Sequence, residues 1–225
     1  MKKRNFTFVE LLTVMVLLAV LTVTLLPALK KSKSQDRSWA CMRNQKLSMA
    51  MLAMYCEDNN GTMPAPWSVA NGGWSKVLKT QGYIEEYKYL TCPVTLIKTG
   101  KDVVEGSQSF GMANYDPATG SGNNLKSITV KDYQPPEKYT FLADAWGKNS
   151  DGTLSQRYQW FPWYAPQGCM ATIHDGACNF AFLDGHVSLL NSEAIKAHNK
   201  SLKPLGKLYF SVYSGMDVTG NKVSF

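Results

Sequence analysis

The sequence predicts an α+β protein in which a long N-terminal α-helix packs on a small antiparallel β-sheet domain. Three observations support this fold class. An apolar run over residues 6–29 leads into a stretch without Gly or Pro that reaches Tyr55, which indicates one long helix. Beyond Gly61 the apolar runs are short, and Gly, Pro, Asn and Asp recur every few residues, as in strands and turns. These strands follow the helix and do not alternate with helices, which favours α+β.

The first part of the predicted helix, residues 6–29, has the length and composition of a membrane span. Its only charged residue is Glu10. As a helix it would extend about 36 Å, enough to cross a hydrocarbon core of about 30 Å. A carboxylate in such a helix costs roughly 2.5–3.5 kcal/mol on insertion scales, so Glu10 is expected to have a partner. Pro27 removes one backbone hydrogen bond, which predicts a helix kink there.

The second part of the helix, residues 30–60, is predicted to be its amphipathic continuation. An apolar stripe recurs there at helical spacing, formed by Ala40, Leu47, Met51 and Met54. The sequence Asn59-Asn60-Gly61 is a helix stop signal, with Gly61 suited to a left-handed cap. The helix would therefore run from Phe6 to about Glu57, and residues 61–225 would form a globular exported α+β domain.

Five short segments of that domain are predicted as strands: Lys88–Thr91, Ser107–Met112, Tyr139–Ala143, Ala177–Leu183 and His186–Leu190. The last two flank Asp184-Gly185, which is the pattern of a two-residue hairpin turn with positive φ at both central positions. Residues 74–83 are predicted as a short helix. The sequence does not place the segment from Lys203 to Phe225.

The distribution of charge argues against nucleic-acid binding. The formal net charge is +7, from 24 basic and 17 acidic residues. Seven of the basic residues and only two of the acidic ones precede Ser38, so the rest of the chain carries 17 basic against 15 acidic residues. A surface that follows phosphates needs clustered Lys and Arg on the folded domain. The basic excess here flanks the apolar helix instead.

The N-terminal residues resemble the processing site of type IV prepilins. The resemblance rests on Lys3-Arg4-Asn5-Phe6-Thr7-Phe8-Val9-Glu10-Leu11-Leu12 and on the later Leu25-Leu26-Pro27-Ala28-Leu29. In that family a basic leader is cut before a Phe, the new N-terminus is methylated, and a Glu four residues on guides assembly. The resemblance thus implies a leader at residues 1–5, cleavage and N-methylation at Asn5 and Phe6, and assembly through Glu10. Asn5 stands where the family usually has Gly.

A second resemblance links the chain to a subgroup of pilin-like proteins with a C-terminal H-X9-DG motif. The motif residues here are His174, Asp184 and Gly185. Further stretches that resemble the subgroup are Cys41–Lys46, Tyr55–Gly61, Cys92-Pro93, Ser109–Met112 and Leu142–Asp144. The resemblance covers roughly residues 3–190 and implies architecture more than activity.

The five cysteines leave several pairings open. On one helix Cys41 and Cys56 would lie about 22 Å apart, too far for a disulfide bond. The preferred candidate disulfide joins Cys41 to Cys92, because both lie in stretches that resemble the subgroup. A second would join Cys169 to Cys178 and leave Cys56 unpaired. The alternative, with all five reduced and buried, stays open.

No cofactor is assigned from the sequence, and the chain is not expected to be an enzyme. The spacing of Cys169, His174 and Cys178, with Asp184 and His186 nearby, is close to that of zinc ligands, but a hairpin turn explains it as well. Calcium at Asp144 or Asp151 is an alternative, although no regular loop of oxygen ligands is present. Motifs of the common hydrolases and phosphate-binding loops are absent from the sequence.

The expected function is therefore structural. A pilin-like or pseudopilin subunit would be processed by prepilin peptidase and assembled, through its N-terminal helix, into a filament of a type II secretion or type IV pilus-like system. Its partners would be further copies or other pilin-like subunits and an inner-membrane assembly platform. It would cross the inner membrane once, with its domain in the periplasm or at the cell surface. The alternatives are an anchored binding module that uses the aromatic segment 157–168, and an anchored metal-dependent enzyme that uses His174, Asp184 and His186.

Overall fold

The computed structural model describes residues 7–95, 109–114, 127–160, 168–202, 214–216 and 222–224. The chain divides into two units, Met1–Asp36 and Arg37–Phe225. The first contains the start of the long helix, and the second contains the rest of that helix and all the strands. The predicted α+β fold class is confirmed.

The long helix α1 spans Phe8–Asp58, close to the predicted limits. It ends as the stop signal predicts, because the N–H of Gly61 donates to the carbonyl of Cys56 at 2.8 Å. This six-residue closure is typical of a Schellman cap, whose left-handed residue is Asn60 with φ 55°. Gly61 also has a positive φ, of 76°, so two successive residues turn the chain away from the helix.

In the first unit, α1 is apolar and exposed. An 18-residue window near its N-terminus has a mean hydropathy of 2.5, and none of it is buried, so this helix could cross a membrane once. Hydroxyl groups within the run are satisfied by the helix itself: Thr22 and Thr24 donate to carbonyls three or four residues earlier. The helix continues through Pro27. The expected kink there stays a prediction.

In the second unit, α1 buries only part of the predicted apolar stripe, since Ala40 and Met51 are half-buried. Leu47 and Met54, expected in the stripe, are 39% and 56% exposed. The buried residues are Ser38, Cys41, Asn44, Gln45, Ser48, Met49, Leu52 and Cys56. This face can contain polar residues because the side-chain NH2 groups of Asn44 and Gln45 have acceptors. Asn44 donates to the backbone carbonyl of Thr91 at 3.0 Å, and Gln45 donates to the backbone carbonyl of Asn179 at 3.2 Å.

The remaining elements of the second unit are short. In chain order they are β1 Trp67–Ser68, β2 Gly72–Gly73, α2 Trp74–Thr80, β3 Gly111–Ala113, β4 Thr140–Ala143, β5 Ala145–Lys148, β6 Leu154–Gln156, β7 Gln159–Trp160, β8 Cys169–Ala171, β9 Ala177–Phe182, β10 Val187–Asn191, α3 Ser192–Leu202, β11 Ser214–Met216 and β12 Lys222–Ser224. The predicted helix over residues 74–83 is thus confirmed as α2, and three predicted strands are confirmed as β4, β9 and β10.

Two five-stranded sheets form the body of this unit. Their strand orders are β10-β9-β4-β3-β7 and β12-β11-β8-β5-β6. Each contains one parallel pair, β3 with β7 and β8 with β11, and the other neighbours are antiparallel. Strands of both sheets share a core that includes Ala143, Ala145 and Met170. The β-structure is therefore larger and more mixed than the small antiparallel sheet that the sequence predicted.

Three local predictions need correction. Residues 88–91 do not form a strand, since Tyr87–Leu90 is a 3-10 helix. Of the strand predicted over residues 107–112, residues 107 and 108 lie outside the described residues, residues 109 and 110 are not part of a strand, and β3 spans Gly111–Ala113. The β9–β10 hairpin has a three-residue loop, because Val187 pairs with Ala181 and the N–H of Phe182 donates to the carbonyl of His186. Only Gly185 has positive φ there, 88°, as in a type I turn followed by a left-handed residue.

The chain passes between the two sheets several times, and two of these crossings lie at Asp144 and at residues 172–176. Asp144 lies between β4 and β5, which belong to different sheets, and residues 172–176 connect β8 to β9. The backbone of Asp144 contacts both sheets: its N–H donates to the carbonyl of Asn179 at 3.2 Å, and its carbonyl accepts from Ala171 at 2.8 Å. Both crossings therefore lie close together.

Candidate functional site

The start of α1 is closed by Thr7 and Glu10. The backbone N–H and the hydroxyl of Thr7 both donate to Oε2 of Glu10, at 2.8 and 2.9 Å, and the N–H of Glu10 donates back to the Thr7 hydroxyl at 3.3 Å. This reciprocal arrangement is a capping box. Asn5 and Phe6, the predicted processing residues, lie outside the described residues.

The capping box was missed from the sequence, although its signal is present. Thr7-x-x-Glu10 before an apolar run is the sequence signature of the box. It gives the Glu10 carboxylate two donors within its own chain, and both come from Thr7. Glu10 therefore caps the N-terminus of α1, and this role is independent of any role in assembly.

A second candidate site lies inside the second unit, where four side chains from four parts of the chain meet. Cys41 comes from α1, and Cys92 follows the 3-10 helix that ends at Leu90. Asp144 comes from the crossing between β4 and β5, and His174 from the crossing between β8 and β9. Each of the four is at most 4% exposed.

The four side chains are in mutual contact. Sγ of Cys41 donates to Oδ1 of Asp144 at 3.1 Å, and Oδ2 of Asp144 lies 3.1 Å from Nε2 of His174. Nε2 of His174 also lies 3.5 Å from Sγ of Cys92. One ligand-type atom of each residue lies within 4.8 Å of those of the other three. The arrangement is a closed group of two sulfurs, one carboxylate and one imidazole.

Backbone groups hold this cluster in place. The N–H of Asn179 donates to Oδ2 of Asp144 at 3.1 Å, and the N–H of Cys92 donates to Oε1 of Gln156 at 3.3 Å. On the other side of Asp144, its carbonyl lies 3.6 Å from Sγ of Cys178. The carboxylate thus has polar partners on several sides, which a buried charge requires.

Electrostatics within the cluster favour the protonated form of His174. Burial alone lowers the pKa of His174, but the neighbouring Asp144 carboxylate and Cys92 raise it to about 10. Burial, together with Cys92 and the Asp144 charge, raises the pKa of Cys41 well above that of an ordinary thiol. Without a bound cation, Cys41 is therefore a neutral thiol that donates to the carboxylate.

Comparison with known proteins gave no match to a family model, to a curated protein or to a solved structure.

The structure separates the zinc-like set that the sequence suggested. His174 belongs to the buried cluster, whereas Asp184 and His186 pair with each other at 2.6 Å on the exposed β9–β10 turn. Sγ of Cys169 lies 3.6 Å from the carbonyl of Trp146 instead of facing His174. Among the described residues, the only group of three or more candidate metal ligands is Cys41, Cys92, Asp144 and His174.

All five cysteines are free in the structure. The sulfurs of Cys41 and Cys92, the preferred pair, nevertheless lie within 4.8 Å of each other. A bond between them would need a further approach to about 2.05 Å, so this disulfide stays a prediction. The two cysteines that the resemblance paired thus belong to one cluster, whereas Asp144 appeared in the sequence analysis only as a calcium alternative and as the end of a stretch that resembles the subgroup.

The aromatic segment that suggested a binding module is only partly described. Residues 161–167 lie outside the described residues. Trp160 is fully buried, and its ring packs edge-to-face on Phe180 with the ring centroids 5.9 Å apart. This tryptophan belongs to the core between the sheets, so it does not offer an exposed platform.

Proposed function

We propose that this chain is a pilin-like structural subunit that is processed before Phe6 and polymerises through its N-terminal helix. The observation that carries the proposal is the N-terminal part of α1, whose apolar side chains are exposed over more than twenty residues with Glu10 as the only charge. Large exposed apolar surfaces indicate contact with lipid or with another protein. A subunit of a helical filament would use this surface for both, first in the membrane and then in the filament.

Glu10 gives the helix a feature that a simple anchor does not need. Cleavage before Phe6 would create an amine about one helical turn from the carboxylate. In a staggered polymer, that amine would meet Glu10 of the adjacent subunit and offset the cost of a carboxylate in an apolar environment. The capping box supplies hydrogen bonds to Glu10 but no positive charge, so the carboxylate can accept this further partner.

The capping role and the assembly role of Glu10 predict different results for two substitutions. Glu10→Gln keeps an acceptor oxygen for Thr7 and preserves the capping box, but it removes the charge. Glu10→Ala removes both. If assembly depends on the charge, both variants should insert into the membrane and both should fail to copolymerise with wild-type subunits.

The measurement is thiol cross-linking between neighbouring helices. A Met15→Cys substitution places a reactive thiol on a side chain that is 62% exposed, whereas the native cysteines are buried. Resistance to alkaline extraction confirms insertion of each variant. If Glu10→Gln cross-links as efficiently as wild type and Glu10→Ala does not, Glu10 acts only as a helix cap. If both variants cross-link as efficiently as wild type, Glu10 has no role in assembly, which favours a simple membrane anchor.

A further inference from the structure

The buried cluster of the second unit has a role that the proposed filament function does not explain. We propose that Cys41, Cys92, Asp144 and His174 bind one zinc ion as a structural site. All four belong to the unit Arg37–Phe225, so the proposal does not depend on how the N-terminal segment is processed. The donors are two sulfurs, one nitrogen and one carboxylate oxygen, all of which are established zinc ligands.

The spacing of the donors fits a tetrahedral ion. Zinc lies about 2.3 Å from thiolate sulfur and about 2.0–2.2 Å from nitrogen or oxygen, so tetrahedral donors are about 3.3–3.7 Å apart. Sγ of Cys41 lies 3.1 Å from Oδ1 of Asp144, Nε2 of His174 lies 3.1 Å from Oδ2 of the same carboxylate, and Nε2 lies 3.5 Å from Sγ of Cys92. Every pair of the four donors lies within 4.8 Å, so the side chains would need to move inward by about 1 Å or less to reach this spacing.

The burial of the cluster also favours a cation. Two sulfurs, a carboxylate and an imidazole occupy a space where no side chain is more than 4% exposed. Zinc would displace the protons of both thiols and of His174, release them to solvent and bind two thiolates and a neutral imidazole, and its two positive charges would offset most of the resulting negative charge. The N–H of Asn179, which donates to Asp144, would hold the carboxylate in its orientation.

Other occupants account for less of the geometry. Calcium prefers oxygen ligands, and two sulfurs exclude a typical calcium site. A Cys41–Cys92 disulfide would use both sulfurs but would leave the convergence of Asp144 and His174 on them unexplained. Zinc employs all four residues and also joins distant parts of the chain, since Cys41 and Asp144 are 103 residues apart.

The test uses the full, tag-free chain purified in detergent without chelators. Elemental analysis should find one zinc ion per chain, and a chelator should remove it and lower the melting temperature. Replacement by Co²⁺ should give the absorption bands of a tetrahedral cobalt–thiolate site. A wild-type chain that remains metal-free when supplied with zinc, or one whose Cys41 and Cys92 are joined by a disulfide in peptide mapping, would overturn the proposal.

Matched variants test the identity of the ligands. Cys41→Ser should lower zinc affinity at least tenfold, and Cys56→Ser, on the same helix but outside the cluster, should not. His174→Gln should likewise lower zinc affinity, whereas His186→Gln, on the exposed β9–β10 turn, should not. Unchanged zinc affinity in Cys41→Ser and His174→Gln would overturn the assignment, and the wild-type measurements decide the case even if these variants fold poorly.

Discussion

The close approach of the two sheets at Gly111 predicts a specific defect when a methyl group is added there. In β3, a Cβ on Gly111 would lie 2.4 Å from Cβ of Ala145, which belongs to β5 of the other sheet. It would also lie 3.1 Å from the backbone carbon and oxygen of Gln159 in β7. Backbone and short side chains cannot swing aside, so Gly111→Ala must shift the strands.

Overpacking of this kind costs about 1–3 kcal/mol. In a folded unit of this size, each kcal/mol lowers the melting temperature by about 2–4 °C, so we expect a decrease of about 2–12 °C for Gly111→Ala. Thermal unfolding of the full chain in detergent can be followed by near-ultraviolet circular dichroism. Trp74, Trp146 and Trp160 are buried near this contact, so their signal reports the loss of tertiary packing.

A second substitution identifies the cause of the decrease. Ala145→Gly removes the atom of the 2.4 Å contact, so adding it to Gly111→Ala should recover part of the lost stability although Ala145→Gly alone is destabilising. The contact with Gln159 remains, so recovery should be incomplete. A melting temperature of Gly111→Ala equal to that of wild type, or no positive coupling in the double variant, would refute this sheet contact.

Three further predictions concern separate parts of the fold. Gly185→Val should cost about 1–3 kcal/mol by thermal unfolding, because valine is strained at φ 88° although space is free around the residue; an unchanged melting temperature would refute the turn. Asn44→Ala should cost about 1–3 kcal/mol in urea unfolding, because it removes the donor to the buried Thr91 carbonyl. Burial, Lys138 and His186 lower the pKa of His198 from 6.5 to about 4. Protonation below pH 6.5 therefore favours the unfolded chain, and wild type should lose more stability than His198→Gln between pH 6.5 and 4.

Features set by neighbouring residues were predictable from the sequence. The start of α1 followed from the apolar run over residues 6–29 and its end from Asn59-Asn60-Gly61. The β9–β10 hairpin followed from two apolar runs around Asp184-Gly185. The loop length was wrong because Asp-Gly also suits a three-residue loop, in which only the glycine is left-handed. Local signals therefore located these elements but did not fix their register.

Features set by distant contacts were not predictable in the same way. The buried face of α1 contains Asn44 and Gln45, whose acceptors are backbone carbonyls 47 and 134 residues away. An apolar pattern cannot identify such a face, because backbone acceptors leave no mark in the sequence. The same applies to Asp144, whose place in the cluster depends on two crossings between sheets.

Mass spectrometry of the N-terminus decides whether the chain is processed as we propose for a pilin-like subunit. The chain should be recovered from native membranes in which prepilin peptidase processes a co-expressed prepilin. We expect a mature chain that begins at N-methylated Phe6, with faster processing in Asn5→Gly. Recovery of only intact chains that begin at Met1, while the control prepilin is cut, would contradict this expectation.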